Sequence, residues 1–163
     1  MTFSTFSFQP SALLLALDTA TDRPTLALGT AGDPGRDEVI AHRHDLSGEI
    51  DRVTRRLLAA RGVTPPALAG ILVADGPGSF TGLRIGIAFA KGLARALNLP
   101  MLTAPSLMGA ARAAGGIGVV VADYGALRGE VYRAIYRFEA DHVATVAPPA
   151  LVPAGFRPAV RSV

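Results

Sequence analysis

With 163 residues, half of them hydrophobic and 18% charged, the chain has enough apolar material for one folded domain or two small lobes, which excludes a disordered tail. The absence of cysteine removes disulfides, thiolate nucleophiles, iron–sulfur clusters and cysteine-ligated zinc. Sixteen basic against thirteen acidic residues leave a formal charge of +3, spread along the chain and not gathered into a nucleic-acid footprint.

At the N-terminus, Leu13, Leu14 and Leu15 form an apolar centre with no basic residue before it and Asp18 directly after it, a pattern unlike an export signal. The longest apolar runs fall short of the roughly 18 residues of a membrane span, so the expectation is a soluble, cytoplasmic protein. Thr2 to Pro10, with Phe3, Phe6 and Phe8, reads as a leader or an extra strand.

Leu13 to Leu17 is a buried strand stopped by Asp18, Thr19, Ala20 and Thr21. Thr25 to Leu28 and Asp37 to His42 follow as strands after short turns, which makes the opening a three-stranded meander. Leu46, Ile50, Val53 and Leu57 recur at helical spacing, with Asp45 or Ser47 as cap and Gly62 as stop. Ala69 to Ala74 is a central strand broken by Asp75-Gly76-Pro77-Gly78. A second helix runs from Ser79 to Leu97, with Ser79 or Thr81 as cap and Asn98 as its end. After a link that holds a brief strand come a helix over Ser106 to Ala114 and strands over Val119 to Ala122 and Val131 to Phe138. The Pro- and Ala-rich tail after Ala147 reads as irregular. This order fits an α/β sheet layered with helices, then the start of a second, similar lobe, with lobes at 1–104 and 105–163.

The densest signal is Asp75-Gly76-Pro77-Gly78-Ser79-Phe80-Thr81-Gly82-Leu83-Arg84-Ile85-Gly86. A glycine-rich turn between strand and helix can aim backbone N–H groups at an anion, which makes Asp18, Thr19, Gly76, Gly78 and Ser79 a candidate nucleotide or anion loop. The Walker spacing is absent, because no Gly-Lys follows at the required offset, and the dinucleotide fingerprint fails at Thr81. Gly78, Gly82, Gly86 and Ala90 recur every four residues and leave a helix stripe with nothing larger than a methyl. Such a stripe permits close approach, either of the chain's own sheet or of a foreign helix or ligand. His42, His44 and Asp45 are too few for a metal site, His142 stands alone, and no Gly-x-Ser-x-Gly elbow occurs.

The run from Gly76 to Gly86, together with Leu17-Asp18-Thr19-Ala20-Thr21, Ala90-Lys91-Gly92-Leu93-Ala94 and Gly129-Glu130-Val131-Tyr132, resembles the TsaB (formerly YeaZ) family. Members of that family are needed to make threonylcarbamoyladenosine in tRNA beside the anticodon. The resemblance runs from about Leu13 to Phe138. It implies an actin-like, ribonuclease H-like mixed sheet with flanking helices in two lobes, here with the second curtailed, and no catalytic residues, metal or cofactor of its own. The implied partners are a TsaD-like transferase, a TsaE-like ATPase, or a second copy when alone, with ATP or ADP as a candidate ligand at the partner boundary and any tRNA contact indirect. Carried onto this chain, the partner-facing residues are Leu46, Ile50, Gly78, Gly82, Arg84, Gly86, Phe89 and Ala90. On that reading a bulky residue at Gly82 or Gly86 abolishes pairing and leaves the isolated chain folded. The competing reading is an ATP-binding phosphotransferase of the same fold that uses Asp18 and the Gly76 to Ser79 loop.

Overall fold

The computed structural model describes residues 8–30, 33, 35–40, 45–115, 117–140 and 142–156. The chain divides into two compact units, one of residues 1–75 and 79–104 and the other of residues 76–78 and 105–163.

In the first unit, β1 (Leu14–Asp18), β2 (Thr25–Gly29) and β3 (Arg36–Val39) form the meander, followed by α1 (Leu46–Ala60), β4 (Gly70–Ala74), α2 (Phe80–Leu97) and β5 (Met101–Ala104). The sheet order is β3-β2-β1-β4-β5, antiparallel within the meander and parallel from β1 through β4 to β5. β5 is the brief strand expected in the link. β3 starts one residue earlier than expected, and of its expected C-terminal end, residues 41 and 42 lie outside the described residues, as do His44 and the leader up to residue 7. Phe8 is described, and its ring lies over Gly70, where a Cβ would collide with it.

Alternation decides which side chains form the core. Leu15 and Leu17 of β1 and Leu26 and Leu28 of β2 point inward, while β4, flanked by parallel neighbours, is buried almost throughout. α1 packs on β2 and β3, α2 on β4, β1 and β5, and the two helices touch. Ile50, Val53, Leu57 and Leu58 supply the inward stripe of α1. Each such side chain contributes about 1.5–3 kcal/mol by leaving water. The outward face of α1 carries ion pairs, Arg55 with Asp51 at 2.8 Å and Arg52 with Asp45 at 2.8 Å and with Glu49. Exposed pairs of this kind contribute little to stability.

The helix ends follow the caps read from sequence. The Asp45 carboxylate accepts from the Gly48 N–H at 3.2 Å, and the Ser79 hydroxyl accepts from the Gly82 N–H at 3.2 Å. Asn98 ends α2 in the left-handed region at φ 52°, one of the few conformations where a short amide is tolerated in place of glycine.

The second unit holds α3 (Ser106–Ala113) and an antiparallel sheet of β6 (Gly118–Gly125), β7 (Glu130–Phe138) and β8 (Val143–Pro153) in that order. Leu107 and Ala111 of α3 meet Ala122, Ala134, Tyr136 and Phe138, all buried. The expected irregular tail is a correction: residues 143–153 form the edge strand. Pro148 and Pro149 fall where the β7–β8 register shifts between Arg133 and Ile135, a break and an edge being the places where a sheet accepts proline. The expected loop from Tyr124 is likewise shorter, since β6 runs to Gly125 and the turn closes through Ala126 N–H to the Glu130 carbonyl at 2.9 Å. The Gly76–Gly78 segment, read as part of the first lobe, groups with this second unit.

Ser79→Ala removes the side-chain cap at the N-terminus of α2 and is expected to lower stability by about 1 kcal/mol, whereas Ser79→Asp retains it. Urea unfolding followed by circular dichroism measures both.

Candidate functional site

The turn after β1 is held by the start of α2. Asp18 is half-buried, and its carboxylate accepts from the Ala20 N–H at 2.9 Å. Burial pushes the Asp18 carboxyl above the usual carboxylate range, against the opposing pull of that N–H. Ala20 accepts in turn from the Ser79 N–H at 2.6 Å. Thr19 is 1% exposed, and its hydroxyl has no hydrogen-bond partner among the described residues.

Thr19 is the occupant of the small-residue stripe. A Cβ on Gly82 would run into the Thr19 carbonyl oxygen, and one on Gly86 into the Thr19 hydroxyl and methyl. Gly82, Gly86 and Ala90 are all buried inside the first unit. Three of the residues expected to face a partner are therefore internal packing, because the β1 turn fills the space that the missing side chains leave. Leu46 and Ile50 are corrected in the same way: both are in the core, Ile50 with no exposed surface. The expectation that bulky substitution at Gly82 or Gly86 spares the isolated fold is overturned by the Thr19 contact.

The candidate anion loop is divided between the units. Asp18, Thr19 and Ser79 belong to the first, Gly76 and Gly78 to the second. Within the second unit, Gly76 adopts φ +110°, a glycine conformation. Its N–H donates to the Ser106 hydroxyl at 3.1 Å and its carbonyl accepts from the Ser106 N–H at 2.8 Å. The N–H groups of Gly76, Ser79 and Gly82 are thus already engaged, by Ser106, Ala20 and Ser79 respectively. Half of the six N–H groups from Gly76 to Gly82 that a phosphate cradle could use, Pro77 having none, are bonded within the protein. Among the described residues no group of three His, Asp or Glu is placed to hold a metal, and His42 and His44 lie outside them.

What the first unit leaves open is the other side of α2. Arg84 is exposed and Phe89 partly so, and these two expected interface residues lie on the surface. They line a groove of about 510 Å³ between the helices with Ser47, Thr81, Ile85 and Ala88. Phe80 is 73% exposed, with the guanidinium of the groove residue Arg84 5.2 Å from its ring centroid. Of the groove residues, Ser47, Thr81, Ile85 and Ala88 were missed from sequence, although helical period places Ala88 opposite Gly86 and Ala90.

Residues 38–155 match the family model described as TsaD, tRNA N6-adenosine threonylcarbamoyltransferase. The chain is 35% identical over 127 residues to the Escherichia coli tRNA threonylcarbamoyladenosine biosynthesis protein TsaB, an alignment that covers 76% of this chain and 54% of that protein. The Bacillus subtilis protein of the same name is 38% identical over 87 residues, covering 53% of this chain and 38% of its own. The solved structure of YeaZ from Pseudomonas aeruginosa superposes with a TM-score of 0.77 at 31% identity, covering 87% of this chain and 68% of that one. The chain belongs to the TsaB (YeaZ) family. The five-stranded mixed sheet with flanking helices and the second small sheet are the actin-like fold expected of that family. The chain spans about half the length of the Escherichia coli relative.

Substitution separates core from surface. Ile50→Ala is expected to destabilise the isolated chain by about 2–5 kcal/mol through the cavity it leaves. Gly86→Val is expected to cost about 1–3 kcal/mol by overpacking against Thr19, both read from urea midpoints. The raised pKa of Asp18 means that the folded state binds its proton more tightly than the unfolded chain. That contribution is fully present below the unfolded pKa and is lost as pH rises through the folded one. Asp18→Asn is therefore expected to be more stable than the parent at neutral pH, with the gap closing in acid, measured as melting temperature against pH.

Proposed function

We propose that this chain is a non-catalytic subunit in the formation of threonylcarbamoyladenosine on tRNA, acting in the cytoplasm by docking on a TsaD-like transferase through the outer face of α1 and α2, with a TsaE-like ATPase joining the assembly. The observation that carries this reading is the groove between α1 and α2, apolar at Ile85, Ala88 and Phe89, with the exposed Phe80 ring against its lining residue Arg84. Exposed apolar surface beside a shaped groove suits protein contact. The family membership supports the pathway, since the Escherichia coli and Bacillus subtilis relatives are named for it. The absence of the Walker spacing from the Gly76 to Gly86 run favours this reading over a phosphotransferase built on the same loop. Docking would act by binding the productive arrangement of the transferase more tightly than its alternatives and so shifting its population.

Depleting the chain in its own cell is expected to lower threonylcarbamoyladenosine in bulk tRNA, measured by mass spectrometry of digested nucleosides. Unchanged levels would overturn the proposal. The purified chain alone is expected not to hydrolyse ATP, and hydrolysis abolished by Asp18→Ala would favour the phosphotransferase.

A further inference from the structure

We infer that the outer edge of β6 pairs with β6 of a second copy of this chain, antiparallel across a two-fold axis, so that two three-stranded sheets join into one of six strands. An edge strand presents backbone N–H and C=O groups that another chain can use, and proteins guard such rows with charge, proline or brevity. Of the four edge strands among the described residues, three are guarded. β3 carries Arg36, Asp37 and Glu38, β5 has four residues between Pro100 and Pro105, and β8 contains Pro148 and Pro149. β6 differs: it is eight residues long, and Gly118-Val119-Val120-Val121-Ala122 holds neither proline nor charge. Valine in succession favours extended pairing. The first charge, Asp123, is engaged within its own sheet, where the Arg133 guanidinium donates to both carboxylate oxygens, Nε to Oδ1 at 2.7 Å. No strand pairs with the other side of β6 among the described residues.

The sequence of this edge is self-complementary. In an antiparallel pair centred on Val120, Val119 lies opposite Val121 of the second copy, Gly118 opposite Ala122, and Val120 opposite itself. Residues directly opposite share a face of the sheet, and Val119 and Val121, each 39% exposed, lie on the face away from α3. The two-fold axis therefore produces the Val119–Val121 pair twice, as an isologous contact requires. Moving the centre to Val121 sets Val119 against Asp123, so the apolar register is the better one. The backbone row alone would accept any extended chain, and the matching of valine to valine on both sides of the axis points to a second β6. The contact uses a strand that the docking reading above leaves unassigned and does not depend on that reading.

Sedimentation of the purified chain over a wide range of concentration is expected to show a monomer–dimer equilibrium. Combined Val119→Lys and Val121→Lys sets lysines opposite one another and is expected to weaken self-association by about tenfold or more, as is combined Val119→Glu and Val121→Glu. An equal mixture of the two variants is expected to associate as a heterodimer, because every lysine then faces a glutamate. Melting temperature checks that each variant folds. Should the double variants fail to fold, Val119→Lys mixed with Val121→Glu carries the same test of register. A parent chain that stays monomeric at every concentration would overturn the inference. So would a dimer that neither lysine nor glutamate weakens, which would place self-pairing elsewhere on the chain. Weakening without rescue on mixing would assign the edge to another register or another occupant and overturn it too. None of these outcomes touches the proposed role in tRNA modification, which the depletion experiment tests separately.

Discussion

The first unit depends on one close approach, the turn after β1 lodged against the side-chain-free face of α2. Thr19 lies over Gly82 and Gly86, and the Ser79 N–H holds the Ala20 carbonyl. Glycine within a helix costs up to about 1 kcal/mol relative to alanine. Burial of the Thr19 methyl and the direct seating of the helix on the sheet offset it. The contact also fixes the rotation of α2, because a helix whose bare side must face the turn can present only the opposite side to its surroundings.

That rotation separates packing from recognition on a single element. Gly82, Gly86 and Ala90 look inward, and Arg84, Ala88, Lys91 and Arg95 look outward. On α1 the same division leaves Ile50 and Val53 in the core and a self-neutralising set of Arg, Asp and Glu outside. Two adjacent helices thus differ in electrostatic character, one with every arginine paired to a carboxylate, Arg56 through Glu38 of β3, and the other uniformly cationic.

The order of elements was legible in sequence because alternation in β1 and β2, the four-residue recurrence in α1 and the caps at Asp45, Ser79 and Asn98 are local signals. The direction of the small-residue stripe was not. A run of glycines states that something comes close, and only the tertiary placement of Thr19 states what. Ile50 was misjudged for the same reason, since an apolar stripe on an amphipathic helix reads alike whether it meets its own sheet or another chain. β8 was hidden because Pro148 and Pro149 count against a strand in any local reading, while the register shift opposite Arg133 and Ile135 that accommodates them is a property of the pair. The division of the glycine loop between two units is equally non-local, arising from the bonds between Gly76 and Ser106.

The same two prolines blunt one edge of the second unit's sheet. β8 is an outermost strand of its sheet, with β7 on one side and no paired strand on the other among the described residues. Neighbouring residues along a strand direct their amides to opposite sides, so a Pro-Pro pair removes one hydrogen from each side at mid-strand. An incoming extended chain would find its ladder interrupted there, which makes this border a poor template for strand addition.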